Sequence, residues 1–259
     1  MQTHSIDSFE KFPGLLHAFS LRSYESAPGE FSDVLLGRLS DPRSSLQHRE
    51  MLLEQLGISS GKLFLVSQVH GDRVFVLNDS GQLPEAVEQE EADALVTHLL
   101  DMPVAVLTAD CVPVILYDPV ARVVGVIHAG RKGTQLRLVS KTLSILSDIY
   151  GSKAERVQMG MGPAIGGCCY QVDEPCLAPF RSAYSNWESF VKVSSGGKFL
   201  LDLPAANTAD ACESGVRPEN IHLSGECTFC RNDRWYSYRR EGTAGRIVSL
   251  AMLVPPGRV

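Results

Sequence analysis

The chain has 259 residues, a formal net charge of −6, 44% hydrophobic residues and 21% charged residues. This length supplies a sizeable core, the composition is ordinary for a soluble globular protein, and the acidic balance gives no electrostatic footprint for nucleic acid. No run of about 18 apolar residues occurs, so no membrane-spanning helix is expected. Met1 to Asp7 has neither the basic nor the apolar region of a signal peptide, and a cytoplasmic location is the expectation. Seven cysteines, an odd number without a secretion signal, argue against a disulfide framework. They read instead as buried thiols, metal ligands or a nucleophile.

In chain order, residues 14–21 read as a first strand and 23–40, with Pro28 and Gly29, as an irregular loop. Asp41 as N-cap and Pro42 at the first helical position start a helix. Its apolar face is Leu46, Met51, Leu52, Leu53 and Leu56, and Gly57 ends it. Residues 62–69 read as a strand running into His70, with a turn at Gly71-Asp72 and a hairpin partner over 73–77. Residues 78–91 are acidic and read as an exposed loop. Three β-rich runs follow at 93–97, 104–108 and 112–117, then a turn from Asp118-Pro119 and a strand over 122–127.

A glycine-bounded turn over 130–134 leads into a helix to about residue 150, with Leu136, Leu138, Val139, Leu143, Leu146 and Ile149 as its apolar positions. Residues 155–161 read as a strand entering a glycine-rich loop that ends in Cys168-Cys169-Tyr170. Helices are expected at 173–184, capped by Asp173, and at 203–214, and strands at 198–201, 221–223 and 246–254. Residues 225–240 form a loop rich in Cys, Arg and aromatics. Strands and helices intermix without strict alternation, and neither a repeat nor a linker occurs. One α+β or mixed α/β domain spanning residues 1–259 is therefore expected.

Three residues carry the leading chemical possibility. His70, Cys111 and His128 each sit where an apolar run meets a turn. Zinc takes imidazole nitrogen and thiolate sulfur, and catalytic sites keep three protein ligands and one open position. Strand ends hold such ligands rigidly, although no short zinc motif connects these three. The same residues also suit nucleophilic catalysis, with a Cys111 thiolate, a histidine base and Asp110 as orienter.

The glycine loop from Gly160 to Gly167 can cradle an anion on its amides or simply make a tight turn. Cys227-Thr228-Phe229-Cys230 is a lone Cys-x-x-Cys pair; the adjacent Cys168 and Cys169 supply no second pair, so these thiols read as packed in a loop. Arg239 and Arg240 can grip a phosphate or carboxylate, and Trp235, Tyr236 or Tyr238 can stack on a planar ring.

Six segments together resemble one family, the laccase-domain or YfiH-like proteins. They are Ser67 to Val74, Ala92 to Thr97, Leu107 to Val114, Val126 to Gly130, Met161 to Tyr170, and Tyr236 to Glu241 with Gly245-Arg246. The resemblance runs from about Phe19 to Leu250 and implies a single-domain α+β fold, CNF-toxin/YfiH-like, with mixed β-sheets flanked by helices. It implies that His70, Cys111 and His128 are a catalytic trio holding one zinc ion, with copper the alternative metal. It further implies phosphorolysis of adenosine, inosine and methylthioadenosine, together with hydrolytic deamination of adenosine.

On that footing Asp110 becomes a candidate proton shuttle, and Arg49, Gln68 and Arg239 become candidates for binding substrate or phosphate. The expected partners are a nucleoside and phosphate, with no nucleic acid and no membrane, acting on a monomer. Two positions depart from the family pattern. His128-Ala129-Gly130 is followed by Arg131-Lys132, where the family usually has Trp-Arg, and His48-Arg49 stands where it has Asn-Arg. Competing readings are a Cys-His amide hydrolase editing peptidoglycan precursors, a copper-dependent polyphenol oxidoreductase, and a non-catalytic nucleoside-binding relative.

Overall fold

Alternation with a period of two sorts the strand residues onto two faces, and here both faces are buried. In the strand Val112–Asp118, Val112, Val114 and Leu116 enter one core cluster, and Ile115 and Tyr117 enter another. The strand Val123–Ala129 divides the same way, with Val123, Ile127 and Ala129 on one side and Val124 and Val126 on the other. Sequences of this kind read as nearly continuous apolar runs because no face meets water. The computed structural model describes residues 2–27, 30–34, 42–58, 62–242 and 245–255.

Two sheets dominate the α+β domain. The six-stranded sheet runs in the order Ile221–Leu223, Gln158–Met161, Val112–Asp118, Val123–Ala129, Ala94–Thr97, Val74–Leu77. Its two outermost pairings are parallel and the three inner ones antiparallel, so it is mixed. The four-stranded sheet runs Thr3–His4, Leu15–Ser20, Ile247–Leu253, Val104–Thr108, antiparallel throughout. Between the sheets lies a core containing Phe19, Val106, Ile115, Val124, Trp235 and Leu253.

The helices cover the outer faces. Leu138–Tyr150, Glu174–Ala183 and Leu203–Glu213 pack on the six-stranded sheet through Leu143, Leu177 and Ala206. The helix Pro42–Gln55 covers the four-stranded sheet, setting Leu52 and Leu53 against Ala105, Val248 and Leu250. Each such aliphatic side chain contributes about 1.5–3 kcal/mol on full burial. Among the described residues no helix is long and apolar enough to cross a membrane.

The expected elements largely form, with instructive exceptions. Residues 62–69 make no regular strand, and 73–77 is not their hairpin partner. The segment pairs its backbone through isolated bridges, Phe64 to Val104 and Ser67 to Glu91. Val74–Leu77 pairs in parallel with Ala94–Thr97, because the turn at His70-Gly71 closes on a carboxylate rather than on a facing strand.

Residues 23–40 are not irregular throughout: Ser23–Ala27 pairs antiparallel with Glu30–Asp33, and the Tyr24 ring packs against His48 at 5.5 Å. Pro28, Gly29 and the expected cap Asp41 lie outside the described residues. The expected exposed loop at 78–91 contains a short helix, Pro84–Val87, whose Val87 is buried.

The expected turn at 130–134 is itself helical, Arg131–Gln135, and the following helix begins only at Leu138. Arg137 breaks the two apart at a left-handed φ of 60°, where its Nε donates to the buried Asp210 Oδ1 at 2.7 Å.

Close approach fixes one glycine. A Cβ at Gly162 would lie 2.2 Å from the ring of the fully buried Phe19. The substitution Gly162→Ala is expected to destabilise the fold by about 1–3 kcal/mol or more, read as a lowered urea midpoint. Adding Phe19→Leu should recover part of that loss, and an unchanged midpoint for Gly162→Ala would contradict the packing.

Candidate functional site

Cys111 stands in the short passage, residues 109–111, by which the chain leaves the four-stranded sheet at Thr108 and enters the six-stranded sheet at Val112. Asp110 turns that corner with φ 85°, a left-handed value uncommon outside glycine. The corner is held from several sides. Ile165 N–H donates to the Asp110 carbonyl at 2.9 Å. Thr228 Oγ1 donates to Asp110 Oδ1, and the Arg239 backbone N–H to Asp110 Oδ2, each at 2.6 Å. Both carboxylate oxygens are thus engaged by the 228–239 loop.

His128 comes from the neighbouring strand, where it pairs with Pro113, two residues after Cys111. It is buried, and its Nδ1 lies 2.8 Å from Asp93 Oδ1. Asp93 is fully buried at the start of the strand Ala94–Thr97. Burial pushes its carboxyl up, but the His128 hydrogen bond and the amides of Gly71 and Val69 outweigh that and hold it below the usual range. An ionised carboxylate only accepts. Nδ1 of His128 is therefore the donor, and Nε2 is left as the free ligand atom.

His70 is placed by the same carboxylate. The backbone N–H groups of Val69, His70 and Gly71 all donate to Asp93, at 3.2, 3.0 and 2.6 Å. His70 takes φ 58° within this turn. Non-glycine residues in that region carry strain, which clusters at functional sites. One buried acid thus sets both histidines.

Gln68 adds a second brace. Its Nε2 donates to the Leu107 carbonyl and its Oε1 accepts from the Leu107 N–H, both at 2.8 Å. Gln68, expected at the substrate, has its amide tying the His70 segment to the strand that delivers Cys111.

The three side chains converge. The ligand atoms of His70, Cys111 and His128 all lie within 4.8 Å of one another, and the two imidazoles meet edge to face at 4.7 Å. Gly130 keeps the space between them open: a Cβ there would lie 3.0 Å from Cys111 Sγ and 3.3 Å from His70 Cδ2.

Electrostatics couple the group. Burial pushes the Cys111 thiol up, but His128 and His70 pull it down to about 6. Burial likewise disfavours the imidazolium of His128, yet Cys111 and Asp93 raise it to about 9. Each group thus favours the ionised form of the other, thiolate against imidazolium. Two nitrogens and a sulfur, with one histidine oriented by a carboxylate behind it, match the donor set of an open metal site.

Other expected contacts are placed differently. Arg239 stacks its guanidinium 5.0 Å from the centre of the Tyr170 ring and donates to the Gln171 carbonyl at 3.0 Å. Burial is the main cause of the raised Tyr170 hydroxyl, and Arg131, Cys111 and Arg239 all act on it electrostatically. Arg49 is not brought into this group by any observed contact; it meets Glu88 at 3.5 Å, and its Nε is buried without a hydrogen-bond partner among the described residues.

Cys227 and Cys230, read from sequence as thiols packed in a loop, lie together with Cys168 and Cys169, all four sulfurs within 4.8 Å of one another. Asp93, Gly130 and Tyr170 were not marked as functional by the residue patterns. The available signal was Asp93 itself, a lone acid opening an otherwise apolar strand.

A family model described as multi-copper polyphenol oxidoreductase laccase matches residues 16–254. The chain is 36% identical over 202 residues to an adenosine deaminase, RL5, from an unknown prokaryotic organism, covering 76% of this chain and 77% of the relative. It is 35% identical over 234 residues to a purine nucleoside phosphorylase of Deinococcus radiodurans, covering 89% and 86%. In structure it resembles YlmD from Geobacillus stearothermophilus, with TM-score 0.86, 27% identity, and 94% and 93% of the two chains covered. It also resembles a Bacillus licheniformis hypothetical protein, YfiH, with TM-score 0.87, 25% identity, and coverage of 97% and 96%.

Alkylation of the metal-free protein by iodoacetamide, followed peptide by peptide, should show Cys111 reacting with a midpoint near pH 6. Below that midpoint the thiol is protonated and unreactive. His128→Ala should move the midpoint up towards the ordinary thiol range of about 8.5. A Cys111 profile indistinguishable from the other cysteines would contradict the pairing.

Proposed function

This chain belongs to the multi-copper polyphenol oxidoreductase laccase family, and we propose that it is a zinc-dependent purine nucleoside phosphorylase that also deaminates adenosine. The observation that carries this reading is the convergence of His70, Cys111 and His128, with Asp93 behind His128, in a chain 33–36% identical to relatives bearing those two activity names.

His70, Cys111 and His128 would hold the zinc. When bound there, zinc supplies Lewis-acid activation of an oxygen nucleophile. Asp93 keeps the proton on Nδ1 of His128 and so keeps Nε2 available as a ligand. Cys111 enters as a thiolate, and His128 gives up its extra proton on loading.

The chain's own cations serve phosphorolysis. A phosphate oxygen must approach the sugar carbon as the bond to the purine breaks and positive charge grows on the sugar. Placed positive charges hold the phosphate and its attacking oxygen in register. Arg239, stacked on the Tyr170 ring, and Arg131, the first residue of the helix that follows Gly130, are assigned that role. Arg131 occupies the position where the family usually has tryptophan, so this wall is more cationic than its relatives'. Asp110 is assigned to positioning in place of a proton shuttle, because both of its oxygens already accept hydrogen bonds.

A second reading has its own observation: the Cys111 thiolate facing the His128 imidazolium is also the ground state of a Cys-His amide hydrolase. Metal dependence separates the two. Copper chemistry would use the same trio as a single site, with two histidines contributed among the described residues.

Metal-analysed protein incubated with adenosine and phosphate should release adenine and inosine, followed by chromatography. Chelation should abolish this release and zinc should restore it. Turnover no higher than in Cys111→Ala would sink the proposal, and an amidase activity that survives chelation would favour the hydrolase.

Asp93→Asn should lower zinc affinity or turnover by about 10–100-fold while the protein stays folded by circular dichroism. Arg131→Ala should raise the KM for phosphate more than that for adenosine. A change confined to adenosine would remove Arg131 from the phosphate wall.

A further inference from the structure

Four cysteines outside the trio come together from two loops. Cys168 and Cys169 follow the glycine loop after the strand Gln158–Met161, and Cys227 and Cys230 sit in the segment after Ile221–Leu223. Their sulfurs all lie within 4.8 Å of one another, with Cys169 to Cys230 at 3.4 Å and Cys168 to Cys230 at 3.9 Å. All are free thiols. Burial does not account for the gathering, because Cys168 and Cys230 are exposed and gain little by packing against each other.

The spacing is that of tetrahedral thiolate ligation. A zinc–sulfur bond of about 2.3 Å puts the four sulfurs of a tetrahedron about 3.8 Å apart. The local backbone is shaped for it as well. Ala164 and Cys227 form a parallel bridge, and the Gly166 N–H points at Cys227 Sγ at 3.3 Å. Such an amide stabilises a thiolate more than a thiol. A side chain at Gly166 would come within 3.2 Å of Cys168 Sγ. Cys227-x-x-Cys230 then provides a turn, closed by Arg231 N–H to the Cys227 carbonyl at 3.0 Å.

We propose that Cys168, Cys169, Cys227 and Cys230 bind a single structural zinc ion, separate from the catalytic trio. Four protein ligands leave no open position, so this zinc ties loops rather than reacts. The loops it ties are the ones that grip Asp110: Ile165 holds its carbonyl from one, and Thr228 and Arg239 hold its carboxylate from the other. The knot therefore fixes the corner from which Cys111 projects.

The test measures zinc per chain by plasma mass spectrometry in three full-length proteins: the natural chain, Cys111→Ala, and Cys111→Ala with Cys168→Ser and Cys230→Ser. Cys111→Ala should retain about one zinc, and the triple variant should lose it. Equal zinc in those two variants, or no zinc in Cys111→Ala, overturns the knot.

The first comparison, natural chain against Cys111→Ala, reports separately on the trio, so failure of one site is not mistaken for failure of the other. Should the triple variant not fold, the natural chain still decides. Loaded with zinc, its exposed Cys168 and Cys230 should resist iodoacetamide until a strong chelator is added. Immediate alkylation of both, or a disulfide among the four on peptide mapping, overturns the proposal.

Discussion

A single buried carboxylate organises the centre of this protein. Asp93 has no exposure to solvent, and its two oxygens accept four hydrogen bonds, three from successive backbone amides and one from His128. An unpaired charge at this depth would be prohibitive, so the acid is retained only because it is fully satisfied. The bonds that satisfy it also define the site. They bend the chain at His70 into a left-handed conformation and fix which nitrogen of His128 faces Cys111. Without Asp93 the two histidines would belong to separate elements with no common reference.

The second constraint is the change of sheet. The chain passes from one sheet to the other across residues 109–111, so Cys111 sits where neither ladder of hydrogen bonds holds the backbone. The grip on Asp110 replaces those ladders, supplied by Ile165 from the glycine loop and by Thr228 and Arg239 from the C-terminal loop. Gln68 supplies the third tie, joining the His70 segment to Leu107. The trio is thus held by hydrogen bonds, of both backbone and side-chain groups, that reach across three distant stretches of chain. This is preorganisation by tertiary contact rather than by a local motif.

Charge in the site follows from the same geometry. Taken singly, burial would neutralise both Cys111 and His128. Placed against each other, each stabilises the ionised form of the other, and Asp93 reinforces the imidazolium. A thiolate is ready to receive a metal, and a protonated imidazole must release its proton to do so. Of the two coupled groups, Cys111 is thus favoured in the form that ligates and His128 in the form that does not. Near it, the Arg239 guanidinium stacks on the Tyr170 ring at 5.0 Å.

Much of the architecture was legible in the residues. Continuous apolar runs at 104–108, 112–118, 123–129 and 247–253 became buried strands because two-sided burial demands such composition. Asp173 caps its helix as expected, accepting from the Cys176 N–H at 3.2 Å.

The trio was legible as three residues at strand ends, and the resemblance to a family joined them. What sequence could not provide was partnership across the chain. Residues 62–69 have the composition of a strand, yet their amides and carbonyls found partners in two separate places, Phe64 at residues 103–105 and Ser67 at residues 90–92. Residues 136–150 have the periodicity of one helix, yet the buried Asp210 drew Arg137 out of it. Cys168 and Cys169 lie some 60 residues from Cys227 and Cys230, a separation no spacing rule connects, and only the packing of two loops brought the four sulfurs together. Local composition determined which stretches would be buried and how they would pair with solvent or core; the tertiary structure alone decided which polar groups would meet, because hydrogen bonds and metal ligands act over a few ångströms between residues that the chain places far apart.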